Sequence, residues 1–264
     1  MPVEKRIIFT VTSGRSGSDY LAQLLSSVPG VHAEHEPEPN FVLAMRRVQN
    51  NPAVASAFLT ELKFPAINKI AEPVFAETSH LTCKGFLEPM FLMGLRPGLI
   101  FLRRPPREVA LSYFERNTIP GRTTWGCAYL LDPRDPFVLP LIGWETMHDY
   151  QLCFWYALEM EHRYLRYATQ ASELGLPTVD VTNLELSDWT AFSRLLSTLS
   201  LPNTEANREA HTRISEQHHN PNPPLRPRMS HDEVAPMEEQ VWNHVANFEP
   251  LLRQKVHRRY ALSP

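Results

Sequence analysis

Read from the amino end, the chain alternates short apolar runs with stretches whose apolar positions recur at helical spacing. Ile7, Ile8, Phe9, Thr10 and Val11 form a β-branched and aromatic run of strand character, and after it Leu21, Leu24 and Leu25 share one face of a helix. Val31 to Phe41 carries the second strand, and a polar, alanine-rich helical region extends toward Ile70. Pro73 to Thr78 then reads as strand, Pro89 to Leu95 as helix and Leu99 to Leu102 as strand. Met147 to Ala171 is a helix rich in aromatics and mixed charge; Pro177 to Val181 is a strand, and Trp189 to Leu199 a helix. A terminal amphipathic helix holds Lys255, Arg258 and Arg259. This alternation is the βαβ rhythm of an α/β fold. It predicts a central parallel β-sheet of about five strands flanked by helices.

Composition changes this picture little. A chain of 264 residues with 43% hydrophobic content can bury a single large core, so one domain over residues 1–264 is expected. The net charge of −3 argues against general nucleic-acid or anionic-membrane binding, because both use an excess of basic surface. Three cysteines, Cys83, Cys127 and Cys153, have no metal spacing, and their odd number cannot complete a disulfide framework. They read as buried thiols in a reducing compartment. No apolar core of a signal peptide precedes the first strand, and no later run approaches a membrane span, so a cytoplasmic protein is expected. Prolines, 24 in all, concentrate at Thr118 to Pro140 and at Asn220 to Pro227, which read as long loops of the kind that form lids or binding elements. No feature speaks to oligomeric state.

Two segments carry candidate chemistry. In the first, Thr12-Ser13-Gly14-Arg15-Ser16-Gly17-Ser18 joins a strand to a helix, the context that a phosphate loop requires. Glycines admit close approach of an anion, while Ser16 and Ser18 add hydroxyls at the positive end of the helix. The pattern is not a Walker A loop, since Ser18 stands where the lysine would have to be. A magnesium-bound nucleoside triphosphate is therefore disfavoured. The second segment, Leu99 to Phe114, repeats the plan, passing from a strand through Arg104-Pro105-Pro106-Arg107 into a helix with Ser112. Two anion sites point to a doubly phosphorylated ligand.

These residues resemble the sulfotransferases. The first loop is similar to their 5′-phosphosulfate loop, in which a lysine or arginine precedes Ser-Gly-Ser/Thr. Arg104 and Ser112 have the spacing of their 3′-phosphate motif, although Arg-Pro-Pro-Arg here replaces the Arg-Asp-Pro-Arg of many carbohydrate and bacterial members. The resemblance implies a P-loop NTPase-like, three-layer sulfotransferase domain using 3′-phosphoadenosine 5′-phosphosulfate (PAPS) as sulfuryl donor, without a metal. It further implies that Ser13, Gly14, Arg15, Ser16, Gly17 and Ser18 cradle the 5′ end, with Arg15 the cation at the leaving phosphate, and that Arg104 and Ser112 hold the 3′-phosphate.

Two residues compete to be the general base. Glu36, in His35-Glu36-Pro37, resembles the carboxylate of the carbohydrate and heparan enzymes, and Glu34 and Glu38 are neighbours that could raise its pKa. His80, in Thr78-Ser79-His80-Leu81, resembles the histidine of the cytosolic small-molecule class. The Glu-Pro pattern favours Glu36. By the same resemblance Trp155 would face the adenine, set against a plain core role, and the basic residues Arg226 and Arg228 read chiefly as solvated charges. The acceptor would be a small molecule or a carbohydrate, selected by loops such as Thr118 to Pro140. The competing readings are a metal-dependent kinase or NTPase of related fold and a non-catalytic nucleotide-binding protein.

Overall fold

The computed structural model describes residues 4–217 and 224–260. In chain order the elements are β1 (Arg6–Thr12), α1 (Ser18–Ser26), β2 (Val31–Glu34), α2 (Val42–Asn50), α3 (Ala53–Phe58) and, after a π-helical turn at Leu59–Lys63, α4 (Phe64–Asn68). There follow β3 (Val74–Glu77), α5 (Leu87–Leu92), β4 (Gly98–Arg103), α6 (Pro106–Glu115), α7 (Thr124–Tyr129), α8 (Asp149–Glu173) and β5 (Thr178–Thr182). Helices α9 (Trp189–Thr198), α10 (Glu205–Gln217), α11 (His231–Ala246) and α12 (Leu252–Tyr260) complete the chain. The described residues fall into two compact units, residues 4–103 with 167–217 and residues 104–166 with 224–260.

The first unit contains the sheet, whose five strands are all parallel in the order β2-β3-β1-β4-β5. β1 is central, and after Arg6 its every residue is buried, as is all of β4. Strands covered on both faces need continuous apolar runs rather than alternation, which is why these two segments stand out in the sequence. One face packs Ile8, Ile100, Leu102, Val179 and Val181 against α1 and α9 through Leu21, Leu24, Leu25, Phe192 and Leu195. On the other, Phe9 meets Phe41, and the rings of Phe41, Phe58 and Phe86 pack at tilted and edge-on angles with centres within 5.7 Å of one another. Such a sheet, with helices on both faces, is the α/β architecture the strand and helix pattern predicted.

The π-helical turn has a local purpose. It adds a residue to the helical path between α3 and α4 and turns Lys63 into the interior, where its side chain is 1% exposed. The part of α8 in the second unit is strongly aromatic, and Trp155, Tyr150 and Tyr156 are all fully buried. The Thr118 to Pro140 stretch is a loop interrupted by the short α7. Of the Asn220 to Pro227 loop, residues 220–223 lie outside the described residues. Helices α7, α10 and α11 have no counterpart in the sequence reading. The last of them is announced by a capping box, in which Ser230 and Glu233 satisfy each other's backbone N–H groups. No helix among the described residues is long and apolar enough to cross a membrane.

Candidate active site

Parallel α/β sheets bind ligands beyond the carboxyl ends of their strands, where neighbouring connections diverge. Here β1 continues into the Ser13 to Gly17 loop, β2 into the segment of Glu36, β3 into that of His80, and β4 ends at Arg103, immediately before Arg104. Arg15, Glu36, His80 and Arg104 therefore follow the carboxyl ends of strands, whereas Ser112 lies on α6.

The first loop is tightly built. Gly14, Arg15 and Gly17 all have left-handed backbone conformations, with φ of 78°, 56° and 84°. For Arg15 this costs about 1 kcal/mol or more, because its Cβ crowds the following carbonyl. The hydroxyls of Ser13 and Ser16 lie 3.0 Å apart and both reach the Gly14 carbonyl oxygen, at 2.9 and 3.0 Å. Both serines therefore brace the turn itself. Gly17 caps α1 without a side-chain hydrogen bond, so no cap oxygen claims the first-turn N–H groups. This donor set, with Arg15 only partly buried, fits an anionic phosphate.

The second feature is a meeting of the two rival bases. Glu34 and Glu77 are register partners at the ends of β2 and β3, so the chains leave the sheet in step. Glu36 adopts a left-handed turn with φ of 51°, fixed by Asn40, whose side-chain amide donates to the Glu36 carbonyl at 3.0 Å. The consequence is that Glu36 Oε1 lies 3.3 Å from His80 Nε2. On its opposite edge, His80 Nδ1 is 2.8 Å from Lys84 Nζ. Lys84 is completely buried and His80 nearly so, at 8% exposure. Burial, followed by the positive charge of Lys84 and the groups of His35 and Arg15, holds His80 well below the usual histidine pKa, so its ring is neutral at pH 7.

Behind this pair lies an ion pair that sequence reasoning missed. Lys63 Nζ sits 2.7 Å from Glu77 Oε2, with both side chains out of solvent. The same ammonium donates to the carbonyls of Pro39 and Pro37, at 3.0 and 3.3 Å, and lies 4.6 Å from the centre of the Phe41 ring. Lys63 thus ties the Glu36 segment to the end of β3. Burial pushes the Glu77 carboxyl up to about 7 against the opposing pull of Lys63, with Glu36 and Glu34 adding repulsion. Neither lysine belongs to a motif. The available signal was a single lysine within an apolar stretch, as in Leu81-Thr82-Cys83-Lys84-Gly85-Phe86-Leu87.

The second unit holds the other candidates. Arg104 ends in a contact with Glu108, one helical turn on, at 3.3 Å, and Ser112 is buried on α6. Arg228 joins Glu108 at 2.8 Å and Glu115 at 3.4 Å, while Arg226 pairs with Asp149 at 2.9 Å and lies over the Phe114 ring. Carboxylates on α6 and α8 thus engage both arginines, which stay open to solvent, Arg228 the more so. Trp155 departs from its suggested role at the adenine. Its ring is fully enclosed and its indole N–H donates to the Leu139 carbonyl at 2.9 Å, so no ring face is open to a base. Cys83 and Cys153 are buried thiols, whereas Cys127 is partly exposed.

The five-stranded parallel sheet, its helical cover and the strand-to-helix loop after β1 define a sulfotransferase-like α/β fold of the P-loop kind. The chain is similar in structure to the sulfotransferase domain from the curacin biosynthetic pathway, with a TM-score of 0.51 over 93% of this chain and 99% of that one, at 12% sequence identity. Likeness at that identity is a likeness of fold. No family model matches the sequence, and no curated protein matches it either.

Proposed function

We propose that this protein is a sulfotransferase that moves the sulfuryl group of PAPS to a hydroxyl or amine of a small-molecule or carbohydrate acceptor. The observation that carries this reading is the Glu36–His80 contact in the unit that holds the Arg15 loop, with Arg15 near enough to influence the imidazole. Bound PAPS supplies an activated sulfur whose leaving group is a phosphate. Glu36 takes the acceptor proton as the acceptor oxygen or nitrogen bonds to sulfur. The sulfur–oxygen bond to the phosphate breaks, its electron pair stays on the phosphate oxygen, and Arg15 meets the charge that grows there. The loop N–H groups hold the 5′ end in line.

Assigning the base to Glu36 follows from the state of His80. Lys84 Nζ occupies its Nδ1 edge at 2.8 Å and Glu36 its Nε2 edge at 3.3 Å, so both ring nitrogens are already turned to protein groups. Arg104 and Ser112 are assigned to the 3′-phosphate, which would take the guanidinium from Glu108. Thermal unfolding with 3′-phosphoadenosine 5′-phosphate and with AMP tests the assignment. A ligand at a hundred times its Kd stabilises by about 2.7 kcal/mol, so the doubly phosphorylated nucleotide should raise Tm by several degrees and AMP by much less. Equal shifts would remove Arg104 and Ser112 from the site, and no shift with either nucleotide would overturn the donor.

A further inference from the structure

His80 is held from both sides of its ring, and the two neighbours differ in kind. Lysine has three donors and no acceptor, so the nitrogen it meets must offer a lone pair. Lys84 Nζ approaches Nδ1 at 2.8 Å, and in a neutral ring the proton must then lie on the other nitrogen, Nε2. That nitrogen faces Glu36 Oε1 at 3.3 Å. We propose that Lys84 is a positioning residue: by donating to Nδ1 it confines His80 to the Nε2–H tautomer, which aims the Glu36 carboxylate with a hydrogen-bond donor.

The role rests on the reading of Glu36 as base. A carboxylate has two oxygens, and a donor held on one of them leaves the other aimed at the acceptor. Without Lys84 the imidazole could turn its lone pair toward the carboxylate, repelling it, or gain a second proton and hold Glu36 as an ion pair. The first change drives the carboxylate from its aim and the second lowers its proton affinity, so either slows proton transfer to Glu36. The charged and titratable groups that face His80 are Lys84, His35, Arg15 and Glu36. With Lys84 gone, its opposing charge is lost while Glu36 remains, so the imidazole would titrate at higher pH.

The test uses the full chain labelled with 15N at histidine, with the His80 signals assigned by their absence in His80→Asn. One experiment reads which ring nitrogen bears the proton at pH 7.5 and follows the titration in wild type, Lys84→Met and Lys84→Arg. A second measures transfer of radiolabelled sulfate from PAPS to fractionated metabolites. We expect the Nε2–H form in wild type and in Lys84→Arg, which keeps a charged donor. In Lys84→Met the single tautomer should be lost, the titration should move upward, and kcat should fall about tenfold to a hundredfold with donor affinity kept. A proton on Nδ1 in wild type, or an unaltered Lys84→Met spectrum, overturns the positioning role and leaves the sulfotransferase reading standing. If Lys84→Met does not fold, the wild-type and Lys84→Arg spectra still decide. Absence of transfer by wild type to any fraction overturns the reading itself, and the catalytic part of the Lys84 role falls with it.

Discussion

Glu77 allows a thermodynamic test that needs no substrate. Its carboxyl is fully buried beside Lys63 and titrates at about 7 when folded, against an ordinary value of 4.5. A raised carboxyl binds its proton more tightly in the folded state, so its contribution to stability is fully present below 4.5 and is lost as pH rises through about 7. Each pKa unit is worth about 1.4 kcal/mol, so the loss amounts to about 3 kcal/mol across that window. Glu77→Gln keeps the shape and cannot titrate. Urea unfolding of both proteins at half-unit steps from pH 4.5 to 8 gives the difference in stability, in which the other titrating groups cancel. The wild type should lose ground to Glu77→Gln by about 3 kcal/mol over the range, most steeply between pH 5 and 7. A pH-independent difference would refute the reasoning, because the carboxyl would then titrate alike in both states.

Three further outcomes are expected. Arg15→Ala should lower kcat by about a hundredfold to a thousandfold, the cost of removing one transition-state donor, and a variant with normal kcat and weakened donor affinity would show that Arg15 only binds. With donor saturating, Glu36→Gln should lower kcat by at least about a hundredfold and abolish the acidic limb of the pH–rate profile, whereas His80→Asn, which removes the imidazole that aims Glu36, should cost about as much as Lys84→Met and keep that limb; loss of the limb in His80→Asn alone would return the base to His80. Gly126→Ala should destabilise the second unit by several kcal/mol, since the added Cβ would fall on the Ile119 carbonyl oxygen; a melting curve like that of wild type would contradict the close approach at the start of α7.

How much of this was legible in the sequence depends on whether local pattern or tertiary placement decides the feature. β1, its glycine-containing loop and α1 were readable because the β-branched run, the turn residues and the helical leucines lie next to one another in the chain. The sheet of five parallel strands followed from the same alternation. By contrast, α10 buries only Asn207, Ala210 and His211, a stripe too polar for hydrophobic spacing to reveal. Glu36 and His80 were each chosen by resemblance, as rivals. Their contact arises from the pairing of β2 with β3, a register that no local pattern encodes. Lys63 was invisible for a related reason, since its buried ammonium depends on partners far away in sequence, the Pro37 and Pro39 carbonyls and Glu77, while Lys84 meets His80 only four residues away but in no spacing that marks a motif.

The order of the strands also bears on how the molecule avoids its own copies. β2 and β5 are the outermost strands, and a bare strand edge is a template for pairing with another chain. β2 is only four residues long and carries His32 in contact with Glu34 and Glu72, while β5 presents Asp180 on its exposed face, bound to Arg103. An incoming strand would have to lie against these charges, on edges too short to repay it with backbone hydrogen bonds. Short borders that carry charge in this way disfavour growth of the sheet by addition of a further strand.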